Sequence, residues 1–211
     1  MRIKSKWHNN SKKTLQEMAS AISFDSWRLT KNQLEDLINE GFKVEKTEVF
    51  GVIQVYLYFI INCVDRLTFA KFSFAERQEF MTAVVKQCAH YFQDNKADRI
   101  EAGDYYQEFI DGYNSITKEY GKCDFNSSPD YSFLIIFAGG VKNATTTVDE
   151  KWITQQIIEI QAPDTFANVE HFTKNIVDVT NIISKEEKSK QIKSKVSRAK
   201  RQKTASERSQ S

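Results

Sequence analysis

The residues most able to engage another molecule lie at the C-terminus, where lysines and arginines are closely spaced. From Ser184 to Ser211 the chain carries ten basic and three acidic residues, a net charge of +7. Lysine and arginine side chains contact phosphates and release counterions, which gives sequence-independent affinity for nucleic acid, and the same charges adhere to anionic lipid. We therefore predict that this tail binds an anionic partner. The residues expected to do so are Lys188, Lys190, Lys193, Lys195, Arg198, Lys200, Arg201 and Lys203.

A second charged pattern is acidic and lies in the middle of the chain. Its four carboxylates have the spacing i, i+3, i+7 and i+10, which lines one face of a helix. This acidic strip consists of Glu101, Asp104, Glu108 and Asp111. It is either a docking strip for a basic partner or, as we favour, the solvated face of an amphipathic helix.

A possible ligand pocket is indicated where charges follow a long apolar run. Residues 49–64 are almost entirely apolar, and Asp65 and Arg66 follow directly. Charges near an apolar region are costly unless they are paired, so they either form a helix-end ion pair, which we favour, or anchor a ligand. In the second case Tyr56 and Tyr58 would help to line the pocket.

Other catalytic chemistry finds little support in the sequence. The histidines His8, His90 and His171 are isolated, without the spacing of a metal site. Cys63 and Cys88 lie in apolar runs typical of buried structural thiols. No glycine-rich phosphate loop occurs, and the pair Gly139 and Gly140 is expected to break or end a helix. We expect no catalytic residue, metal or cofactor.

The elements that position these residues are predicted to be helices. Only two prolines and seven glycines occur in 211 residues, and apolar residues recur every three or four positions. Three pairs have the spacing of a helix-capping box: Thr30 with Gln33, Ser73 with Glu76, and Thr147 with Glu150. Pro129 and Pro163 fit the first helical position, while Gly41 and Gly121 fit helix ends. The resulting helices are 12–24, 31–40, 46–70, 74–94, 104–120, 129–142, 148–161 and 163–187.

The sequence thus predicts an all-α protein, a single bundle of seven or eight helices with a disordered or helical basic tail. The 46–70 helix is expected at its centre, because it is apolar all round and too short to favour a membrane span of about 20 residues. Segments 133–137 and 153–160 are rich in β-branched and aromatic residues that also suit strands, although their flanking caps favour helix.

Charge divides the chain into three regions. Residues 1–13 form a basic segment of net charge +5, residues 14–183 an acidic helical domain of net charge −10, and residues 184–211 the basic tail. Three widely spaced cysteines and the lack of an apolar leader favour a reducing compartment, so we expect a cytoplasmic location, or a nuclear one if the source is eukaryotic.

Three functions remain open at this point. The first is a non-enzymatic interaction or regulatory module that binds a protein partner and contacts an anionic partner with its tail. The second is a helical enzyme or ligand-binding protein with a pocket beside helix 46–70. The third is nucleic-acid binding through the tail, although no aromatic residue lies among the basic ones to stack on bases.

Overall fold

The computed structural model describes residues 13–146 and 149–177. Helices make up almost all of these described residues. The described residues contain six helices and no strand. The helices are α1 (Leu15–Asn39), α2 (Val49–Thr68), α3 (Phe74–Arg99), α4 (Tyr105–Tyr120), α5 (Tyr131–Asn143) and α6 (150–176). The all-α prediction is confirmed, with six helices where seven or eight were expected. Segments 133–137 and 153–160 are helical.

Helix α2 lies at the centre of the bundle, as its composition predicts. It packs against α3, α4, α5 and α6. By length and composition α2 could cross a membrane, but 67% of its most apolar stretch is buried inside the protein. Phe59 of α2 stacks on Phe137 with 4.2 Å between ring centroids and meets Phe133 edge-on. Aromatic packing therefore fixes α2 against α5.

The direction of α3, α4 and α5 relative to α2 follows from the residues that meet. Helices α3 and α5 run antiparallel to α2: Phe50 meets Phe92 and Asp65 meets Arg77 in α3, while Tyr56 meets Phe137 and Phe59 meets Phe133 in α5. Helix α4 runs parallel to α2: Tyr58 meets Phe109 and Arg66 meets Tyr120.

The two outer helices continue this alternation. Helix α1 is parallel to α3, since Ser23 bonds the carbonyl of Val84 and Trp27 lies against Tyr91. Helix α6 is antiparallel to α5, because only the short connection 144–149 joins the two helices and Phe166 meets Phe125 just before α5 begins. One end of the bundle therefore holds the start of α1, the α2–α3 and α4–α5 connections and the end of α6; we call it the Phe74 end. The opposite end holds the other three connections, and we call it the Glu101 end.

Helix α1 is a single helix where the sequence predicted two, 12–24 and 31–40. The expected cap at Thr30 is wrong, because Thr30 is fully buried in the middle of α1. Gln33, expected to complete that cap, instead donates to the carboxylate of Asp164 and accepts from Thr165 on α6. A residue that the sequence pattern assigned to a helix cap therefore joins α1 to α6 instead.

Helix α6 is also continuous where two helices, 148–161 and 163–187, were predicted. It is α-helical over Glu150–Gln156 and Ala162–Ile176, with a π-helical turn over Ile157–Gln161 between them. The Ala162 amide donates to the carbonyl of Ile157, five residues back. This wider turn accommodates Pro163, which would otherwise clash with the preceding turn of a regular α-helix. The helix ends at Ile176, and the rest of the predicted range lies outside the described residues.

Several predicted boundaries are confirmed and one is shifted. Ser73 and Glu76 form the predicted capping box at the start of α3. Gly41 ends α1 with a positive φ of 103°, and Gly121 follows the last residue of α4. Helix α5 starts later than predicted, because Asp130 accepts from the Phe133 amide and replaces the expected Ser128–Pro129 start. The Thr147 cap lies outside the described residues.

Adjacent glycines do not break α5, contrary to the prediction. A side chain at Gly140 would meet Val55 of α2 at 2.7 Å, so Gly140 permits close approach of the two helices. A side chain at Gly139 would meet no atom within 4 Å, which places Gly139 on the outer face. The pair therefore separates a packed face of α5 from an open one.

Candidate functional site

The charged residues after the apolar run of α2 form interhelical contacts. Asp65 accepts from Nε of Arg77 at 2.8 Å and also from its Nη2, which ties α2 to α3. Arg66 turns away and donates to the carbonyls of Tyr120 at 2.9 Å and Cys123 at 3.4 Å. A cation at the C-terminal end of α4 also interacts favourably with the helix dipole. The two charges therefore face different partners.

The two tyrosines proposed for the pocket are buried and hydrogen-bonded. The Tyr56 hydroxyl bonds Oε1 of Gln161 at 3.1 Å, and the Tyr58 hydroxyl donates to the Phe109 carbonyl at 2.9 Å. Gln54 donates to the same Tyr58 oxygen. Desolvation raises the pKa of both phenols well above its ordinary value, so both stay protonated. These side chains connect α2 with α4 and α6.

The acidic strip is exposed and lies at the Glu101 end, where α4 begins. Glu101 precedes the helix, and Asp104 caps it by accepting from the Gln107 amide at 3.1 Å. Glu108 pairs with Lys96 of α3 at 2.9 Å, and Asp111 accepts from the Gln107 side chain at 2.8 Å. Three of the four carboxylates thus accept hydrogen bonds within the chain. The predicted tail residues, 188–203, lie outside the described residues.

The cysteine environments are those of structural thiols, as predicted for Cys63 and Cys88. Both are fully buried, and burial raises the pKa of Cys88 to about 12 and that of Cys63 well above its ordinary value. Such thiols are not nucleophiles at neutral pH. Among the described residues, no group of three or more His, Cys, Asp or Glu side chains is arranged to hold a metal ion.

A surface feature that sequence reasoning missed is a groove between α5 and the first half of α6. This α5–α6 groove encloses about 510 Å³. None of the four predicted pocket residues lines it. Its lining residues are Tyr131, Lys142, Lys151, Thr154, Gln155, Ile158 and Glu159.

Two features of the chain build this groove. On α5, Tyr131 lines the groove, and Ile135 and Gly139 follow it at intervals of four, so they share its face of the helix. On α6 the π turn includes Ile158 beside the groove and Gln161 bonded to Tyr56 in the core. Such single π turns often occur at functional sites.

Exposed apolar side chains lie on the two helices that form the groove, and one of them, Tyr131, lines it. Tyr131 is 68% exposed, Ile135 41% and Ile160 of the π turn 50%. The available sequence signal was that α5 is apolar on nearly every side, so one apolar face had to remain outside the core. A smaller groove of about 290 Å³ lies between α3 and α4, over Met81, Val85 and Ile110.

Comparisons of this chain with protein-family models, with curated proteins and with solved structures find no match. A helical bundle serves many unrelated functions, so the fold alone does not indicate one. Function is therefore inferred from the surfaces described above.

Proposed function

We propose that this chain is a non-enzymatic interaction module. The α5–α6 groove binds a segment of a protein partner, and the basic tail contacts an anionic partner. The observation that carries the first part is the apolar surface of the groove, which Tyr131, 68% exposed, lines together with Ile158. Ile135 lies on the same face of α5 as Tyr131.

The composition of the groove suits a protein partner. Exposed apolar patches with polar edges mark interaction sites, and tyrosine is enriched at the centre of protein interfaces. Here Tyr131 and Ile158 supply apolar surface, while Lys142, Lys151 and Glu159 supply charges of both signs. An amphipathic helix, with anchors at i and i+4 or i+7, is the partner segment that such a groove accepts.

Binding is favoured over catalysis by the chemistry of the lining residues. No histidine, cysteine or aspartate is among them, and Glu159 accepts from Gln155 at 3.1 Å. The alternative of a ligand pocket beside α2 needs space around Tyr56 and Tyr58, where both hydroxyls are already bonded within the protein.

Site-specific photo-crosslinking in the source cells tests the groove. A benzophenone amino acid at position 131 is compared with the same group at position 115, where Ser115 is exposed on α4. We expect a discrete protein adduct from position 131 alone, and its loss in the variant Ile135→Asp. That variant should fold normally because Ile135 is partly exposed.

Two results contradict the groove proposal. Identical adducts from positions 131 and 115 indicate random encounters, and an adduct that survives Ile135→Asp does not depend on the apolar face of α5. An adduct containing only a second copy of this chain assigns the groove to self-association instead.

A further inference from the structure

The α5–α6 groove has two chemically different ends. Because α5 and α6 run antiparallel, the last turn of α5 lies beside the first turn of α6. Lys142 and Lys151 therefore line one end of the groove, and Tyr131 and Glu159 line the other. At about 1.5 Å per helical residue, Lys151 and Glu159 are about 12 Å apart along α6. We call these the lysine end and the tyrosine end of the groove.

Glu159 supplies a negative charge at the tyrosine end. Its side chain is exposed and accepts a hydrogen bond from the neutral side chain of Gln155 at 3.1 Å. Among the described residues, no lysine or arginine pairs with this carboxylate. A carboxylate accepts about four hydrogen bonds through its two oxygens, so Glu159 can also receive the paired donors of an arginine from another protein.

Tyr131 adds a surface for the same kind of group. Its ring is 68% exposed, and guanidinium groups stack on the faces of aromatic rings. The chain contains such a combination elsewhere, where Arg77 pairs with Asp65 and lies over the Phe69 ring at 4.7 Å. A carboxylate and an exposed ring at one end of the groove therefore favour an arginine of the partner over a neutral or acidic side chain.

The π turn supplies a backbone acceptor at the same end. Pro163 has no amide hydrogen, so it donates neither to the carbonyl of Ile158, five residues back, nor to that of Glu159, four residues back. Both of these residues line the groove. Because Glu159, Ile160 and Pro163 are exposed, this turn is open to a partner. Arginine has five N–H donors and no acceptor, which matches the acceptors found here.

The lysine end has the opposite requirement. Lys142 lies in the last turn of α5, and Lys151 is exposed in the first turn of α6. Their charges attract a carboxylate and repel an arginine. The separation of about 12 Å between the two ends corresponds to about two helical turns, and residues i and i+7 of a helix share one face. A helix that fits both ends therefore carries its two charges seven residues apart, with apolar residues between them to contact Ile158.

We propose that the partner segment is an amphipathic helix that carries a carboxylate and, seven residues later, an arginine. The arginine pairs with Glu159 and stacks on Tyr131, while the carboxylate binds Lys142 and Lys151. This order places the acid nearer the start of the partner helix and the base nearer its end, as the helix dipole favours. The partner helix then runs parallel to α6. This inference rests on the proposed function for the groove and adds the chemistry of its partner.

Charge reversal combined with photo-crosslinking of the full-length chain tests the proposal. The benzophenone amino acid at position 131 keeps an aromatic ring there, so the charge at position 159 can be varied alone. We expect Glu159→Lys to lower the yield of the protein adduct about tenfold or more, because attraction becomes repulsion. The matched control is Asp98→Lys, which makes the same kind of charge change at an exposed position of α3 and should leave the yield unchanged.

Mass spectrometry of the adduct then locates the crosslinked segment of the partner. That segment should contain an arginine within one helical turn of the attachment site and an aspartate or glutamate seven residues before the arginine. Changing this arginine to glutamate should abolish the adduct with the unmodified chain and restore it with Glu159→Lys. Such a rescue requires the two side chains to meet, so a general loss of folding cannot produce it.

The remaining outcomes separate this inference from the proposed function. If the adduct is lost in Ile135→Asp but keeps its yield in Glu159→Lys, the groove binds a protein and the inferred charge pattern is wrong. A crosslinked segment without an arginine near the attachment site, or a failed rescue, overturns the inference in the same way. If position 131 gives no discrete adduct in the unmodified chain, the groove proposal fails and this inference fails with it.

Discussion

The adjacent glycines of α5 allow the packing of α5 on α2 to be tested by two matched substitutions. Gly139→Ala and Gly140→Ala each add one methyl group to neighbouring positions of the same helix. Both gain about 1 kcal/mol of helix propensity. Any difference between them therefore comes from what the new methyl group meets.

The expected difference follows from the distances. At Gly139 nothing lies within 4 Å, so the propensity gain is retained. At Gly140 the new carbon would lie 2.7 Å from Cγ1 and 3.3 Å from Cγ2 of Val55, and overpacking of this kind costs about 1–3 kcal/mol. We expect Gly139→Ala to stabilise the protein, and Gly140→Ala to have an unfolding free energy about 1–3 kcal/mol below that of Gly139→Ala.

Urea unfolding followed by circular dichroism measures this difference in unfolding free energy. In a thermal scan, 1 kcal/mol corresponds to about 2–4 °C in Tm for a chain of this size. The variant Val55→Ala supplies the control, because it should remove most of the penalty at Gly140 in a double-mutant cycle. Equal stabilisation by both alanines, or no coupling with Val55, would refute the close approach of α5 to α2.

Three further predictions concern the ion pair, pH and thiol access. Asp65→Asn should lower the unfolding free energy by about 1–2 kcal/mol, since it weakens two hydrogen bonds from Arg77 that are about three-quarters shielded from water. Stability should fall as pH rises from about 9 to about 12. Burial raises the pKa of Cys88 and of Tyr113 to about 12 in the folded chain, whereas the unfolded chain releases these protons at lower pH. The Tm measured between pH 8 and pH 11 reports this loss of stability. Ellman's reagent should react quickly with one thiol only, Cys123, which is partly exposed.

Each of these has a distinguishing control. An Asp65→Asn variant as stable as the unmodified protein would mean that the ion pair contributes nothing. Replacement of Tyr113 by Phe should flatten the loss of Tm above pH 10, and an unchanged slope would assign the loss to other groups. Cys123→Ser should abolish the fast thiol reaction; a fast phase that persists would show that Cys63 or Cys88 is accessible.

Local chemistry predicted those parts of the fold that depend on neighbouring residues. The capping box of Ser73 and Glu76, the helix ends at Gly41 and Gly121, and the central place of α2 all follow from short-range spacing or from composition. Each involves groups within a few positions of one another, or a helix with too little polar surface to face water.

Features that depend on distant residues escaped prediction. Thr30 and Gln33 have the spacing of a cap, but Gln33 instead accepts from Thr165 of α6, which lies 132 residues later in the chain. Pro163 has the sequence signature of a helix start, and only the wider turn that precedes it allows α6 to continue. The α5–α6 groove likewise exists only once both helices are packed. The apolar composition of α5 indicates that one apolar face stays exposed, but it does not indicate which helix lies beside that face.

The central position of α2 has a consequence for biogenesis. Tyr56 of α2 meets Gln161, which is 105 residues further along the chain. At translation rates of about 5–20 residues per second, α2 waits roughly 5–20 seconds after its own synthesis before α6 emerges to cover it. During that interval it is a 20-residue apolar helix with no completed shell around it. The side chains of α2 that α6 covers therefore stay exposed to water and prone to aggregation at this stage, and a truncation that removes α6 would make the exposure permanent.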